Sequence, residues 1–390
     1  MVTRAGLGAA DRHGRGLSWA STGSTPIIFC GWVVSVLTVA IVARAVLPIS
    51  DAPATGGGSW LPLASWDALR YIQIAQHGYS GTVINRAFFP LFPLLIASVH
   101  QALSALSVSY ALAGTMIAIA CSYGALLLLR RLLACDLQTD QATRFAWLLL
   151  ASPFAFILIA PYTEAVLLIT SIGSLFAARR QRWWLAGLLA ALASACRLPG
   201  LIVGAALLAE YLDQVRRSDE RLTPSILWIA LAPLGTVAYF TWLATHGGIN
   251  TYQRAYDIGW PFRKFSLNIL KPLYDPILAH VLHTTTVPST ALADALGILS
   301  FAATVALLAF GWKPLRPSYR LYCVLSIIVP LLTSIVEGLG RYYLVMFPLV
   351  LSAARIAEAH PRLLRPAVLT ALVGQVALIA LFSTGHPGIV

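Results

Sequence analysis

Charge is what this chain has least of. Asp and Glu number 15 in 390 residues, and all charged residues together make up 11%, against about 25% in soluble globular domains. Set beside 58% hydrophobic residues gathered in long runs, that scarcity excludes a soluble helical protein and indicates a chain that crosses a bilayer many times. No D-x-D and no glycine-rich nucleotide loop occurs, which argues against metal-dependent chemistry on a nucleotide sugar. The five cysteines form no C-x-x-C pair and read as small buried hydrophobes. His280 and His283 share an i,i+3 spacing, but with only Asp275 nearby they do not make a metal site. No metal and no cofactor is expected.

Positive charge is in excess, at +12, but it comes in short clusters between apolar runs. That is the positive-inside pattern of membrane proteins, not a nucleic-acid surface. The apolar runs are 27–48, 108–131, 143–160, 162–178, 183–196, 198–213, 225–245, 291–312, 319–336, 340–357 and 366–384. With the N-terminus in the cytoplasm, 18 of the 27 Lys and Arg fall in six inner groups of three, from Arg4/Arg12/Arg15 to Arg355/Arg362/Arg365. The other nine, among them Arg70, Arg197, Arg263 and Arg341, fall at or near the outer side. The expectation is an all-α polytopic bundle of about eleven transmembrane helices. Residues 1–26 are expected to be a disordered cytoplasmic N-terminus, 27–384 a single transmembrane domain, and 385–390 a tail. Extracytoplasmic loops are expected at 50–107 and 246–290, and 87–104 is read as lying along the outer face without crossing. The runs 183–196 and 198–213 are short for a span, and Cys196-Arg197-Leu198-Pro199-Gly200 between them is a turn signal inside the membrane profile.

Ionisable residues at membrane depth cost about 3 kcal/mol each on insertion scales. Glu164, Arg197 and Arg341 interrupt apolar runs with no local need for them, and all fall on the outer side with the first loop. A helix over 65–77 would place Asp67 on one face with Arg70 and Tyr71. Asp67 is the leading candidate base. Its alternative is a surface pair with Arg70, flanked by Trp66 and Tyr71 as interfacial aromatics, with Ser65 in a helix-start role. Glu164 reads otherwise as an acid at a helix N-terminus, Arg197 as a snorkelling side chain, and Arg341 as an interfacial anchor. Tyr252, Tyr256, Trp260 and Phe262 would stack on a sugar or lie in the headgroup layer.

Trp66-Asp67-Ala68 with Arg70-Tyr71 and Gly78-Tyr79, then Ala87-Phe88-Phe89-Pro90-Leu91-Phe92-Pro93, resembles the PIG-V mannosyltransferases of the GT-C superfamily. The likeness continues in Pro161-Tyr162-Thr163-Glu164, Arg197-Leu198-Pro199-Gly200 and Gly340-Arg341-Tyr342. It implies a GT-C-type helical bundle with juxtamembrane helices in the first extracytoplasmic loop. It also implies a metal-free inverting mannosyltransferase with a polyprenyl-phosphate-mannose donor and a glycolipid, glycan or protein acceptor. Asp67 matches the first-loop acid that serves as base, with Glu164 as a second acid. Arg197 and Arg341, with Arg70, would hold the donor phosphate, and Trp66, Tyr71, Phe89, Tyr162 and Tyr342 would complete the substrate contacts. The composition looks like that of the bacterial members, which implies a plasma-membrane location with the site extracytoplasmic. The rival class is a transporter or flippase for a lipid-linked or anionic substrate, although no inverted repeat is apparent.

Overall fold

The computed structural model describes residues 25–49, 61–218, 223–261, 263–281, 291–334 and 336–386. The polar N-terminal stretch up to residue 24, residues 50–60 of the first loop, and residues 387–390 lie outside that set, as does the His283 partner of the proposed histidine pair. The described chain folds into sixteen α-helices joined by turns and short 3-10 segments, with no strand among the described residues. In hydrocarbon, helices alone let an open chain satisfy every backbone group internally. The protein is an all-α polytopic membrane protein.

Among the described residues, five helices are long and apolar enough to cross a bilayer: α1 (Thr25–Val46), α4 (Tyr110–Leu133), the segment Leu198–Arg217 that includes most of α8 (Leu201–Ser218), α12 (Ala291–Gly311) and α16 (Pro361–Ser383). A sixth is bent by 43° between Pro224–Leu231 and α9 (Leu234–Thr245). Pro233 sits at the bend, where it removes a backbone donor. Large apolar side chains on α1, α12 and α16, such as Ile27, Phe310 and Val373, are exposed, as suits helices that face lipid.

The other apolar runs are carried by shorter pieces around a buried centre. α6 (Glu164–Arg179) is buried on nearly every face and packs between α4 and α7 (Trp183–Cys196). A helix apolar all round belongs in the interior. The run 143–160 is not a continuous helix. α5 (Thr139–Ala146) gives way to irregular turns around Ser152-Pro153, and Ala155 to Ala160 are almost fully buried. This stretch is apolar because it fills the core, not because it spans. The run 340–357 is likewise two pieces, α14 (Leu339–Leu344) and α15 (Pro348–Ala359), parted before Pro348. Within 87–104 the main helix is α3 (Leu91–Ala102), twelve residues long and about 18 Å in reach, too short to cross a core of roughly 30 Å.

Candidate active site

α2 (Asp67–His77) begins two residues later than the spacing suggests. Ser65 does not cap it, because its hydroxyl donates to the Pro62 carbonyl. Trp66, just before the helix, is held at φ 58°, a conformation costly for a bulky residue. That turn sends Asp67 off the first residue of the helix toward the bundle, while Ala68, Tyr71, Ile72 and Ile74 bury the inner face. Gly78, at φ 63°, ends the helix.

Three other breaks meet Asp67. Glu164 opens α6, where an acid complements the helix dipole. Arg197 follows the end of α7 in extended backbone, before a short 3-10 turn over Leu198–Gly200 and the start of α8. Arg341 sits on α14, which starts at Gly338 in the left-handed region. The Cβ of any larger residue at Gly340 would run into the Phe154 ring, so this glycine is what seats α14 against the core.

The four side chains form one chain of ion pairs. Arg341 Nη1 donates to Asp67 Oδ2 at 2.8 Å. Its Nε lies 3.1 Å from Glu164 Oε1, a charge contact whose N–H is not aimed at the oxygen. Arg197 Nη1 donates to the same Oε1 at 2.6 Å. Glu164 is only 1% exposed and Arg341 4%, whereas the Asp67 side chain keeps 25%. Two acids and two bases make the quartet electrically balanced, the condition under which burial of charge is tolerated. The Asp67 Oδ1 makes no hydrogen bond among the described residues and is left to the cavity.

Aromatic rings floor the quartet. The Arg197 guanidinium lies 4.4 Å from the Tyr342 ring centre, and Arg341 lies 5.4 Å from both Tyr342 and Tyr162. Such contacts strengthen when desolvated. Tyr162 donates to the Ser65 carbonyl at 3.0 Å and so ties the start of α6 to the strained turn before α2. Tyr71 and Glu164 both meet the Thr163 hydroxyl, at 3.4 Å each. Burial pushes the Tyr71 phenol well up, against the pull of Arg197, so it stays neutral.

Above the quartet opens a cavity of about 260 Å³ lined by Asp67, Arg197, Arg341 and Tyr342, with Tyr71 and Phe89 beside them. α10 (Asn250–Gly259) and the segment after it complete the lining: Tyr252, Tyr256 and Trp260 line the cavity, while Phe262 lies outside the described residues. Burial raises the Tyr252 and Tyr256 phenols, so both present neutral hydroxyls.

Of the sequence candidates, Asp67, Tyr71, Phe89, Arg197, Arg341 and Tyr342 line this cavity, and Glu164 and Tyr162 stand directly behind it. Trp66 packs against the core at the turn. Arg70 points elsewhere: its guanidinium meets Gln73 and Thr82 at 3.4 Å each, and Asp67 takes Arg341 as partner instead. Sequence reasoning missed Gln253, Phe88 and Arg263 on the cavity wall. The signal for Arg263 was its place directly after Trp260-Pro261-Phe262, an arginine joined to an aromatic patch.

The family model described as Mannosyltransferase (PIG-V) matches residues 55–225. The chain is 33% identical over 150 residues to the GPI alpha-1,6-mannosyltransferase 2 of Rattus norvegicus, in an alignment covering 36% of this chain and 30% of that one. The proteins of the same name from Cricetulus griseus and Mus musculus are 34% and 33% identical, with the same coverage. The chain thus spans less than a third of the length of these curated relatives.

Proposed function

We propose, on the match of residues 55–225 to the Mannosyltransferase (PIG-V) family model and on the geometry of the cavity, that this protein is a membrane glycosyltransferase that moves mannose from a polyprenyl-phosphate donor to an extracytoplasmic acceptor, with inversion. The observation that carries the reading is Asp67: a carboxylate inside the matched segment, on the wall of a cavity, with one oxygen anchored by Arg341 and the other without a partner among the described residues. In the reaction, the acceptor hydroxyl attacks the anomeric carbon as its proton passes to the free oxygen of Asp67. The bond between that carbon and the phosphate oxygen breaks on the opposite face, and the polyprenyl phosphate leaves with the electron pair. Attack opposite the leaving group inverts the centre. The ion pair with Arg341 keeps Asp67 aimed at the cavity. Glu164 holds Arg341 and Arg197 beside Asp67, where their positive field favours the charge that builds on the departing phosphate. The neutral hydroxyls and ring faces of Tyr71, Tyr252 and Tyr256 suit a sugar.

Asp67→Asn tests this. With purified protein and polyprenyl-phosphate-mannose, kcat is expected to fall by about 10²–10⁴-fold, the usual worth of a general base. Transfer at near wild-type rate would remove Asp67 from the mechanism.

A further inference from the structure

Both sequence-predicted arginines of the cavity are committed to carboxylates. Arg341 carries Asp67 and Glu164, and Arg197 carries Glu164, so the quartet sums to zero. Arg263 is different. It lines the same cavity, held by a turn in which its backbone N–H donates to the Trp260 carbonyl at 2.9 Å. Its guanidinium carbon lies 5.2 Å from the Trp260 ring centre. Among the described residues, no carboxylate oxygen lies within 4.0 Å of it. Its Nε is buried and makes no hydrogen bond. Glu337 senses its charge, but from beyond ion-pair distance. The cavity wall therefore carries one positive charge in excess, borne by a group with unused donors. A buried donor without a partner costs free energy, and a guanidinium is shaped for two-point contact with a phosphate.

We propose that Arg263 is the primary phosphate anchor for the lipid donor, a role that rests on the glycosyltransferase reading above. It takes the phosphate at the wall it shares with Tyr256 and Trp260. Arg197 and Arg341 then position the acids and add field without giving up their carboxylates. The wall formed by Tyr256, Trp260 and Arg263 thus serves donor recognition, and Asp67 faces the acceptor.

The test uses the full-length protein in detergent and three probes: farnesyl phosphate, farnesol and inorganic phosphate. Arg263→Ala is expected to raise the Kd for farnesyl phosphate by at least about tenfold, with Arg263→Lys in between, as for loss of a charge-assisted contact. Farnesol is expected to bind the wild type and both variants equally. In transfer assays the variant is expected to show a raised donor KM and a lower kcat/KM for the donor, with the acceptor KM unchanged. The proposal falls if the alanine variant binds farnesyl phosphate as the wild type does, or loses farnesol equally, which would make Arg263 a packing group. It falls also if inorganic phosphate binds as tightly as farnesyl phosphate, which would mark a free-anion site. If Arg263-dependent binding of farnesyl phosphate holds while the wild type transfers no mannose, the anchor stands and the glycosyltransferase reading falls.

Discussion

Arg341 is the residue on which the site turns. It is 4% exposed and bridges two acids from distant parts of the chain, one on α2 and one on α6. Lysine lacks the planar fork that lets separate nitrogens meet the two acids. Taking the cation away leaves Glu164, 1% exposed, with Arg197 alone. Arg341→Gln is therefore expected to destabilise the protein by on the order of 3–5 kcal/mol, the usual result of breaking a buried pair. Thermal unfolding in detergent checks this, and an unchanged melting temperature would show that the pair contributes no net stability. Arg44 is a useful contrast. It also looks conspicuous in a span, yet it donates to the Ser383 carbonyl at 3.0 Å and simply ties α1 to the end of α16.

At the level of elements, the site is built from interrupted helices. Asp67, Glu164, Arg197 and Arg341 stand at helix starts, breaks or short helices, not in the middle of long ones. Those breaks were legible in part. Cys196-Arg197-Leu198-Pro199-Gly200 announced its turn, whereas 340–357 read as one continuous run although it breaks before Pro348. The positive φ at Trp66 was not legible, because nothing in a tryptophan advertises the left-handed region, and only the packed surroundings hold it there. Gly340 gives a direct probe. In Gly340→Ala the new methyl meets the Phe154 ring, and overpacking of this kind costs about 1–3 kcal/mol. Either the ring or α14 must shift. Mannose transfer is expected to drop in step with the lost Arg341–Asp67 pairing. Full transfer by a stably folded alanine variant would show that α14 tolerates displacement.

Across the whole molecule, α6 and α8 link two charged clusters. The far one, at their C-terminal ends, gathers Asp136, Arg179, Glu210, Asp213 and Arg316. Glu210, which is fully buried, accepts from Arg316 at 2.9 and 3.1 Å, from Gln214 at 2.9 Å and from Ser318 at 2.6 Å, and Arg179 binds Asp136 at 3.0 Å. Every member is engaged within the cluster, and it lies at the opposite end of α6 from the cavity. Its role is to clamp α13 (Pro317–Leu332) against α6 and α8. Glu210→Ala is accordingly expected to lower stability by on the order of 3–5 kcal/mol, while the donor KM measured at low temperature stays as in the wild type. A raised KM with unchanged stability would contradict a purely structural clamp.

Composition and periodicity alone determined that this chain is helical and lies in a membrane, because burying backbone in hydrocarbon admits few other solutions. They also singled out Glu164, Arg197 and Arg341, because charge in an apolar run is too costly to be incidental, whereas Asp67, in the first loop, stood out through its resemblance to a family motif. Which acid meets which base was a matter for the tertiary structure. Neighbours in sequence suggested Asp67 with Arg70, but a partner 274 residues away took its place. Arg70 can be satisfied by nearby polar groups and water, whereas Asp67 and Glu164 face the interior, where only a buried cation can balance them. Among the described residues the same balance leaves Arg263 on the cavity wall without a carboxylate partner, a property of the assembled cavity that no stretch of sequence contains.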